Sequence, residues 1–482
     1  MEKLNRKNAG LENTLPIKVV QFGEGNFLRA FVDYAFQQLN KKADLNAGIA
    51  VVQPLENGMI NMINAQDGLY TLFMNGIKKG EKIQDIELIS NLVKGINPYT
   101  EFDSFLDLAK EEELQFVISN TTEAGIEYIA TDMPDMRPPV AFPARLTVLL
   151  HERFKHFNGA QDKGLTIIPC ELINYNADTL KEIILKYADL WSLGESFKQW
   201  LNESCTYHNT LVDRIVPGYP RNEIEEYNSK LTYKDDLIVT AEPFFLWVIE
   251  GDEALKAKLP FDKTDVNVKI VDDMQPFRTL KVRILNGAHT AMVPFSLLYG
   301  NETVKETVDG DFTGKFVDSV INEISGTLPM DANEVKEYAE EVMDRFRNPF
   351  IKHLLSDIAL NSVSKFKVRV LPSLLQYVET NNELPADLTF SLACLIRFYK
   401  GMWNGKALPV KDSPEVIEQF NAAWALSDLE LVTNAVLANE YFWEKDLTQV
   451  EGLVQKIVLA LSEIENNGLE AAYLNFSREY QS

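Results

Sequence analysis

IKVVQFGEGNFLRAFVDYAFQQL, from Ile17 to Leu39, is the stretch whose reading decides the fold. Ile17 to Phe22 is a short apolar run of strand length. Phe27, Phe31, Ala35 and Leu39 then fall on one helical stripe. Between them Gly23-Glu24-Gly25-Asn26 makes the turn. Strand, glycine turn and helix in that order open a doubly wound sheet. Glycines there let the backbone approach a pyrophosphate, which the helix N-terminus stabilises. Leu28 stands where the usual fingerprint has its third glycine, so a plain tight turn is the competing reading.

The rhythm continues outward. Gly48 to Gln53 reads as a second strand, and LYTLFMNG turning at Asn75-Gly76 into KIQDIELI predicts a hairpin. Helix Glu101 to Lys110 leads into strand Leu114 to Ser119, and helix Pro143 to His156 into strand Leu165 to Cys170. Thr210 to Val216 and Leu237 to Ile249 read as additions to the sheet. From about Thr279 the pattern turns to nearly continuous helical periods such as FVDSVINEI and GLVQKIVLALSEI. The expected fold class is α/β: a Rossmann-like dinucleotide-binding domain with extra strands over 1–277, then a mainly α-helical substrate and catalytic domain over 278–482.

Composition narrows the partners. Lys plus Arg total 47 against 71 Asp plus Glu, and a net charge of −24 argues against nucleic acid and anionic membrane. A small acidic substrate stays open, because a few cations inside a site set the local potential. Three scattered cysteines fit neither a disulfide framework nor a zinc site, which suggests a reducing compartment. Met1 to Pro16 lacks the apolar core of a signal peptide, and no apolar run reaches membrane-spanning length. A soluble cytoplasmic protein is expected. The five histidines make no HExxH pattern, so no metal is expected.

Several residues could carry chemistry. Gly23 and Gly25 would cradle a dinucleotide, and Gln53 ends the second strand, where the adenosine ribose is usually held. No Lys or Arg lies between Gln53 and Lys78, and Glu56 would repel a 2′-phosphate, so NAD is favoured over NADP. Asn120, Thr121 and Glu123 follow the fourth major strand, Glu123 as a site acid or a helix-capping carboxylate. Lys281, Asn286 and His289 form the densest polar group. On an ideal α-helix Lys281, His289 and Asn286 lie at about 0°, 80° and 140°, one broad face with an axial spread of ~12 Å. A solvated lysine beside a hydrogen-bonded polar pair is the alternative.

These residues together resemble the polyol-specific long-chain dehydrogenase, or mannitol dehydrogenase, family. GEGNFLRAF is similar to its cofactor loop, in which an Arg-Ala pair replaces the third glycine; the resemblance adds Asn26, Phe27 and Arg29 to the cofactor site. Val212-Asp-Arg-Ile-Val-Pro217 matches the family signature, with Tyr207 departing from the usual upstream residue. Lys281, Asn286 and His289 match the catalytic trio, and Arg345-Phe346-x-Asn348-Pro349 with Ser364-Lys365 resembles the motif of the substrate-binding lysine.

ISNTTEAGIEY, IIPCELINYNADTLKE and SKFKVRVLPS resemble the branch that acts on hexuronate-derived ketoses. The resemblance implies metal-free, NADH-dependent reduction of a sugar acid, D-tagaturonate, to D-altronate. Lys281 would be the acid/base, Asn286 and Asn176 the oxyanion donors, and His289 the residue orienting substrate. Cys170-Glu171-Leu172 and Asp357 depart from the mannitol dehydrogenases, which have Cys-Asp-Asn and an arginine there. Lys365, Lys367 and Arg369 offer cations for the carboxylate, and their alternation suggests one extended face. Reduction of D-fructuronate, mannitol/fructose chemistry and a silent scaffold are the rivals; the expected assembly is a monomer or homodimer.

Overall fold

The apolar run that opens the chain becomes β1 (Ile17–Phe22), the middle of a parallel sheet. Six strands pair in the order β5-β2-β1-β6-β7-β8: β2 (Gly48–Val52), β5 (Leu92–Ile96), β6 (Phe116–Ser119), β7 (Thr166–Pro169) and β8 (Thr206–Tyr207). Every pairing in it is parallel. Such a sheet must be covered on both faces. Val19, Ile49 and Ile118 accordingly belong to one buried cluster, and Val20, Ala50 and Val117 to another. The computed structural model describes residues 1–11, 14–122 and 125–481. The chain forms two compact units, Met1–Asn75 with Lys82–Met274, and Gly76–Glu81 with Gln275–Ser482.

Three sequence expectations change. The helix after the glycine turn is two helices, Asn26–Ala30 and Val32–Ala43, broken at Phe31 (φ −120°, ψ −76°). The break has a cause: Tyr70 Oη donates to the Arg29 carbonyl at 2.7 Å and Arg214 Nη1 to the Ala30 carbonyl at 2.5 Å. Both carbonyls serve side chains at the point where the first helix stops. The hairpin of β3 (Tyr70–Lys78) and β4 (Glu81–Ile89) turns at Lys79-Gly80, not Asn75-Gly76. Lys79 and Gly80 have φ of +53° and +76°, the left-handed pair that suits the twist of a two-residue hairpin loop. The later strands do not extend the main sheet. β9 (Thr210–Asp213), β11 (Leu246–Glu250) and β12 (Val268–Val271) form a sheet of their own, and β10 (Val239–Ala241) joins β3 and β4.

The second unit is mainly helical around Gly287–Tyr299. Eleven of that helix's thirteen residues are buried, which marks it as central rather than amphipathic. Phe295 stacks on Phe316 at 3.8 Å, and Ser391 Oγ donates to the Ala291 carbonyl, tying in helices Thr313–Ser325 and Ala386–Phe398. Among the described residues no helix is long and apolar enough to cross a membrane.

Candidate active site

The sheet order reverses at β1: the chain passes from β1 to β2 on one side and returns to β6 on the other. Ligands of such sheets bind outside the strand ends at this switch point. Gly23 follows β1 there and Asn120 follows β6. Gly23 has φ +124°, and a Cβ on it would stand 2.9 Å from the Asn120 carbonyl oxygen, so glycine is required. Gly25 precedes the Asn26–Ala30 helix and has open space where its Cβ would be, leaving its backbone approachable. Phe27 is half-buried, stacked on Phe31 at 4.9 Å.

Other residues expected to touch a cofactor are committed to the fold. Arg29 is fully buried; its guanidinium donates to the carbonyls of Glu24 and Leu237 and to Asn26 Oδ1. It braces the turn and does not face a ligand. Gln53 is buried too, its amide donating to the carbonyls of Leu55 and Glu56 and accepting from the Ile60 amide. It closes its own loop instead of presenting a ribose ligand. Asn120 Nδ2 donates to the Cys170 carbonyl at 2.8 Å. The amide and hydroxyl of Thr121 both donate to Glu171 Oε1 at 3.0 Å. Glu123 lies outside the described residues.

Asn176 does not fit the oxyanion role expected of it. It is fully buried, and its Nδ2 lies within 3.1 Å of three acceptors: the carbonyls of Pro169 and Glu171, and Thr210 Oγ1. Its Oδ1 accepts from the amides of Thr210 and Ala177. Both amide hydrogens are spent.

The second unit gathers a different set. Lys281–Asn286 forms a π-helical turn running into the Gly287–Tyr299 helix, so the ideal α-helical angles do not apply across it. Such turns recur at functional sites. Lys281 and Asn286 are half-buried. His289 is buried with its Nε2 unpartnered among the described residues, and its ring lies 4.3 Å from Phe346 and 4.8 Å from His353. Burial, then the positive charge of His353, Arg345, Arg369 and Lys365, holds its imidazole well below the usual pKa. His289 is thus a neutral ring inside a cationic neighbourhood.

Lys365 and Arg369 sit one turn apart on the helix Ser362–Arg369. Lys365 donates to the Ile358 carbonyl at 2.9 Å, and Arg369 Nη1 lies 3.5 Å from Thr290 Oγ1. Burial and the adjacent Arg369 lower the Lys365 pKa. Because this segment is a helix, Lys367 projects elsewhere and pairs with Glu444 at 2.6 Å; the single extended face expected from the alternation does not form. Gly287 allows the close approach, since a Cβ on it would be 3.1 Å from the Arg369 carbonyl oxygen.

Sequence reasoning missed Glu171 and His353 as parts of these sites. Glu171 is buried and accepts from Ser119 Oγ and from Thr121, so it fixes the loop after β6. The signal was the acid in Cys170-Glu171-Leu172, read only as a departure. His353 lies far from His289 in sequence, and no local pattern announces their contact.

Two family models match the chain: the mannitol dehydrogenase Rossmann domain over residues 17–263 and the mannitol dehydrogenase C-terminal domain over 273–465. The chain belongs to the mannitol dehydrogenase family. Its members are oxidoreductases acting on CH–OH groups. The altronate oxidoreductases of Shigella flexneri serotype 5b (strain 8401) and Escherichia coli O7:K1 are 47% identical to it over 481 residues, 98% of this chain and 99% of theirs. Among solved structures, D-sorbitol dehydrogenase in substrate-free form aligns with a TM-score of 0.82 at 20% identity, over 98% of this chain and 100% of that one. Pseudomonas fluorescens mannitol 2-dehydrogenase, in a ternary complex with NAD and D-mannitol, gives 0.67 at 20% identity, over 99% and 100%. At that identity the shared property is the fold.

Proposed function

We propose that the protein interconverts D-tagaturonate and D-altronate with NAD as redox partner, running toward altronate in the breakdown of hexuronates. The observation that carries this reading is the cationic neighbourhood of His289, with Lys365 and Arg369 on one helix face and Arg345 beside it. A neutral polyol has no need of such a lining, whereas a hexuronate carboxylate would neutralise it. The altronate oxidoreductase relatives favour the same substrate. The three cysteines are free and buried, which suits a cytoplasmic enzyme.

The dinucleotide would lie across the ends of β1 and β6, its pyrophosphate against the backbone of Gly23 and Gly25 and the loop of Asn120 and Thr121. When bound it supplies the hydride acceptor or, reduced, the donor. The chain's own residues handle the rest. Lys281 takes the hydroxyl proton during oxidation and returns it to the carbonyl oxygen during reduction. The Asn286 amide donates to the same oxygen as charge develops there. The neutral His289 offers Nε2 to a substrate hydroxyl, and Arg369 with Lys365 receives the carboxylate.

The test is NADH oxidation with D-tagaturonate, D-fructuronate and D-fructose in parallel, repeated with NADPH on the best substrate. Preference for tagaturonate with NADH is expected. Preference for fructuronate would keep the site and discard the configuration; preference for fructose would discard the carboxylate role of Arg369.

A further inference from the structure

Glu24, between the two glycines of the turn, has no part in the scheme above. Its side chain is only 8% exposed, yet it packs beside the loop that follows β2. Oε1 accepts from the Met59 amide at 3.4 Å, while Oε2 has no hydrogen-bond partner among the described residues. Gly58 leaves room for it, since a Cβ there would stand 2.2 Å from Glu24 Oε1. A buried carboxylate oxygen without a donor is costly and calls for one. Burial pushes the carboxyl above its ordinary range, and the hydrogen bonds present offset this only in part.

Its position supplies the donor's identity. Glu24 follows β1 and reaches the loop after β2, the interval over which an adenosine ribose lies in a doubly wound sheet. In many such folds an acid at the end of the second strand accepts the ribose hydroxyls. Here Gln53 holds that position and is spent on its own loop. No Lys or Arg follows before Lys78 to hold a phosphate.

We propose that Glu24 selects NAD over its 2′-phosphorylated form, adding to the repulsion expected of the exposed Glu56 by accepting the adenosine ribose hydroxyls from the glycine turn itself. The inference rests on the dinucleotide reading of the first unit. A carboxylate here rewards a 2′-hydroxyl and repels a 2′-phosphate, so removing the charge shifts the two cofactors in opposite directions.

The experiment is a fluorescence titration of the full chain and its Glu24→Gln and Glu24→Asp variants with NADH and NADPH, alongside thermal melts. The wild type is expected to bind NADH and strongly prefer it. Glu24→Gln should weaken NADH about tenfold and tighten NADPH, cutting the preference by about a hundredfold. Glu24→Asp keeps the charge and should still reject NADPH. Equal weakening of both cofactors by Glu24→Gln would reduce Glu24 to a brace for Met59 and overturn the proposal. So would an unchanged ratio, or NADPH binding as readily to Glu24→Asp as to Glu24→Gln. Failure of the wild type to bind either cofactor would instead sink the dinucleotide reading on which the proposal stands.

Discussion

The two motif-bearing regions spend their polar atoms in opposite ways. Around the glycine turn, Arg29, Gln53, Glu171 and Asn176 are buried with their hydrogen bonds closed inside the first unit. Around His289, an imidazole nitrogen is unpartnered among the described residues, and Arg369 meets Thr290 Oγ1 at the long distance of 3.5 Å. Satisfied buried polar groups rigidify a fold, whereas unsatisfied ones are where a ligand adds most. Most motif residues of the first region therefore shape backbone, with Glu24 and its unpartnered Oε2 the exception, and those of the second offer charge and hydrogen bonds. The family signature also serves backbone: Arg214 is buried and donates to the carbonyls of Ala30 and Glu242, although its Nη2 has no partner among the described residues.

The largest expected effect breaks the second region. Lys281→Ala should lower turnover by ~10²–10⁴-fold, the range of a positioned acid/base, while NADH binding persists. Unimpaired turnover would take the lysine out of the reaction. Next, the contrast between regions is tested by a pair of matched substitutions. Arg29→Met leaves two buried carbonyls and the half-buried Asn26 Oδ1 without their donor and should destabilise the protein by about 3 kcal/mol, read from urea midpoints. Arg369→Met should change stability by less than about 1 kcal/mol yet lower kcat/KM for tagaturonate by ~100-fold, sparing any activity on fructose. Equal losses on the acid and the neutral ketose would remove the carboxylate role.

Much of this was legible in the chain, for identifiable reasons. The parallel sheet follows from apolar runs alternating with helical stripes, and the glycine turn and the trio of Lys281, Asn286 and His289 stand in short local motifs. What was not legible depends on long-range partners. Asn176 looks like a donor until Pro169, Glu171 and Thr210 consume its hydrogens. The helix break at Phe31 depends on Tyr70 and Arg214, distant in sequence. Lys365, Lys367 and Arg369 mislead because alternation suggests a strand, and helical pitch separates the middle cation from the others.

A subtler prediction concerns pH. His289 is held neutral when folded, whereas the unfolded chain takes up its proton near pH 6.5. The unfolded state then binds more protons, so the His289 contribution to stability is lost as pH falls below about 6.5, by up to ~1.4 kcal/mol per pH unit. Glu323 acts in the opposite sense. Burial and Asp387 raise its carboxyl to about 8, so its contribution is lost as pH rises from 4.5 through that value. Subtracting the stability profile of His289→Phe from that of the wild type cancels Glu323 and should leave a slope confined to the acid side. Parallel profiles would show that His289 is not held neutral by the fold.

The smallest effect sharpens the comparison at a single backbone contact. Gly287 sits where the Gly287–Tyr299 helix meets the end of the Ser362–Arg369 helix, and a methyl group there would lie 3.1 Å from the Arg369 carbonyl oxygen and 3.4 Å from Ile324 Cδ1. Alanine favours the helix by about 1 kcal/mol over glycine, which offsets the crowding, so Gly287→Ala should leave the melting temperature almost unchanged. The carbonyl must still yield by a few tenths of an ångström, and the Arg369 side chain moves with it. Because a charge-assisted contact depends on placement, the KM for tagaturonate should rise roughly threefold to fivefold with kcat unchanged. An unaltered KM at full stability would mean that this close approach is packing alone. A falling kcat would mean instead that the displacement reaches the π-helical turn and the amide of Asn286, one residue before the substituted glycine.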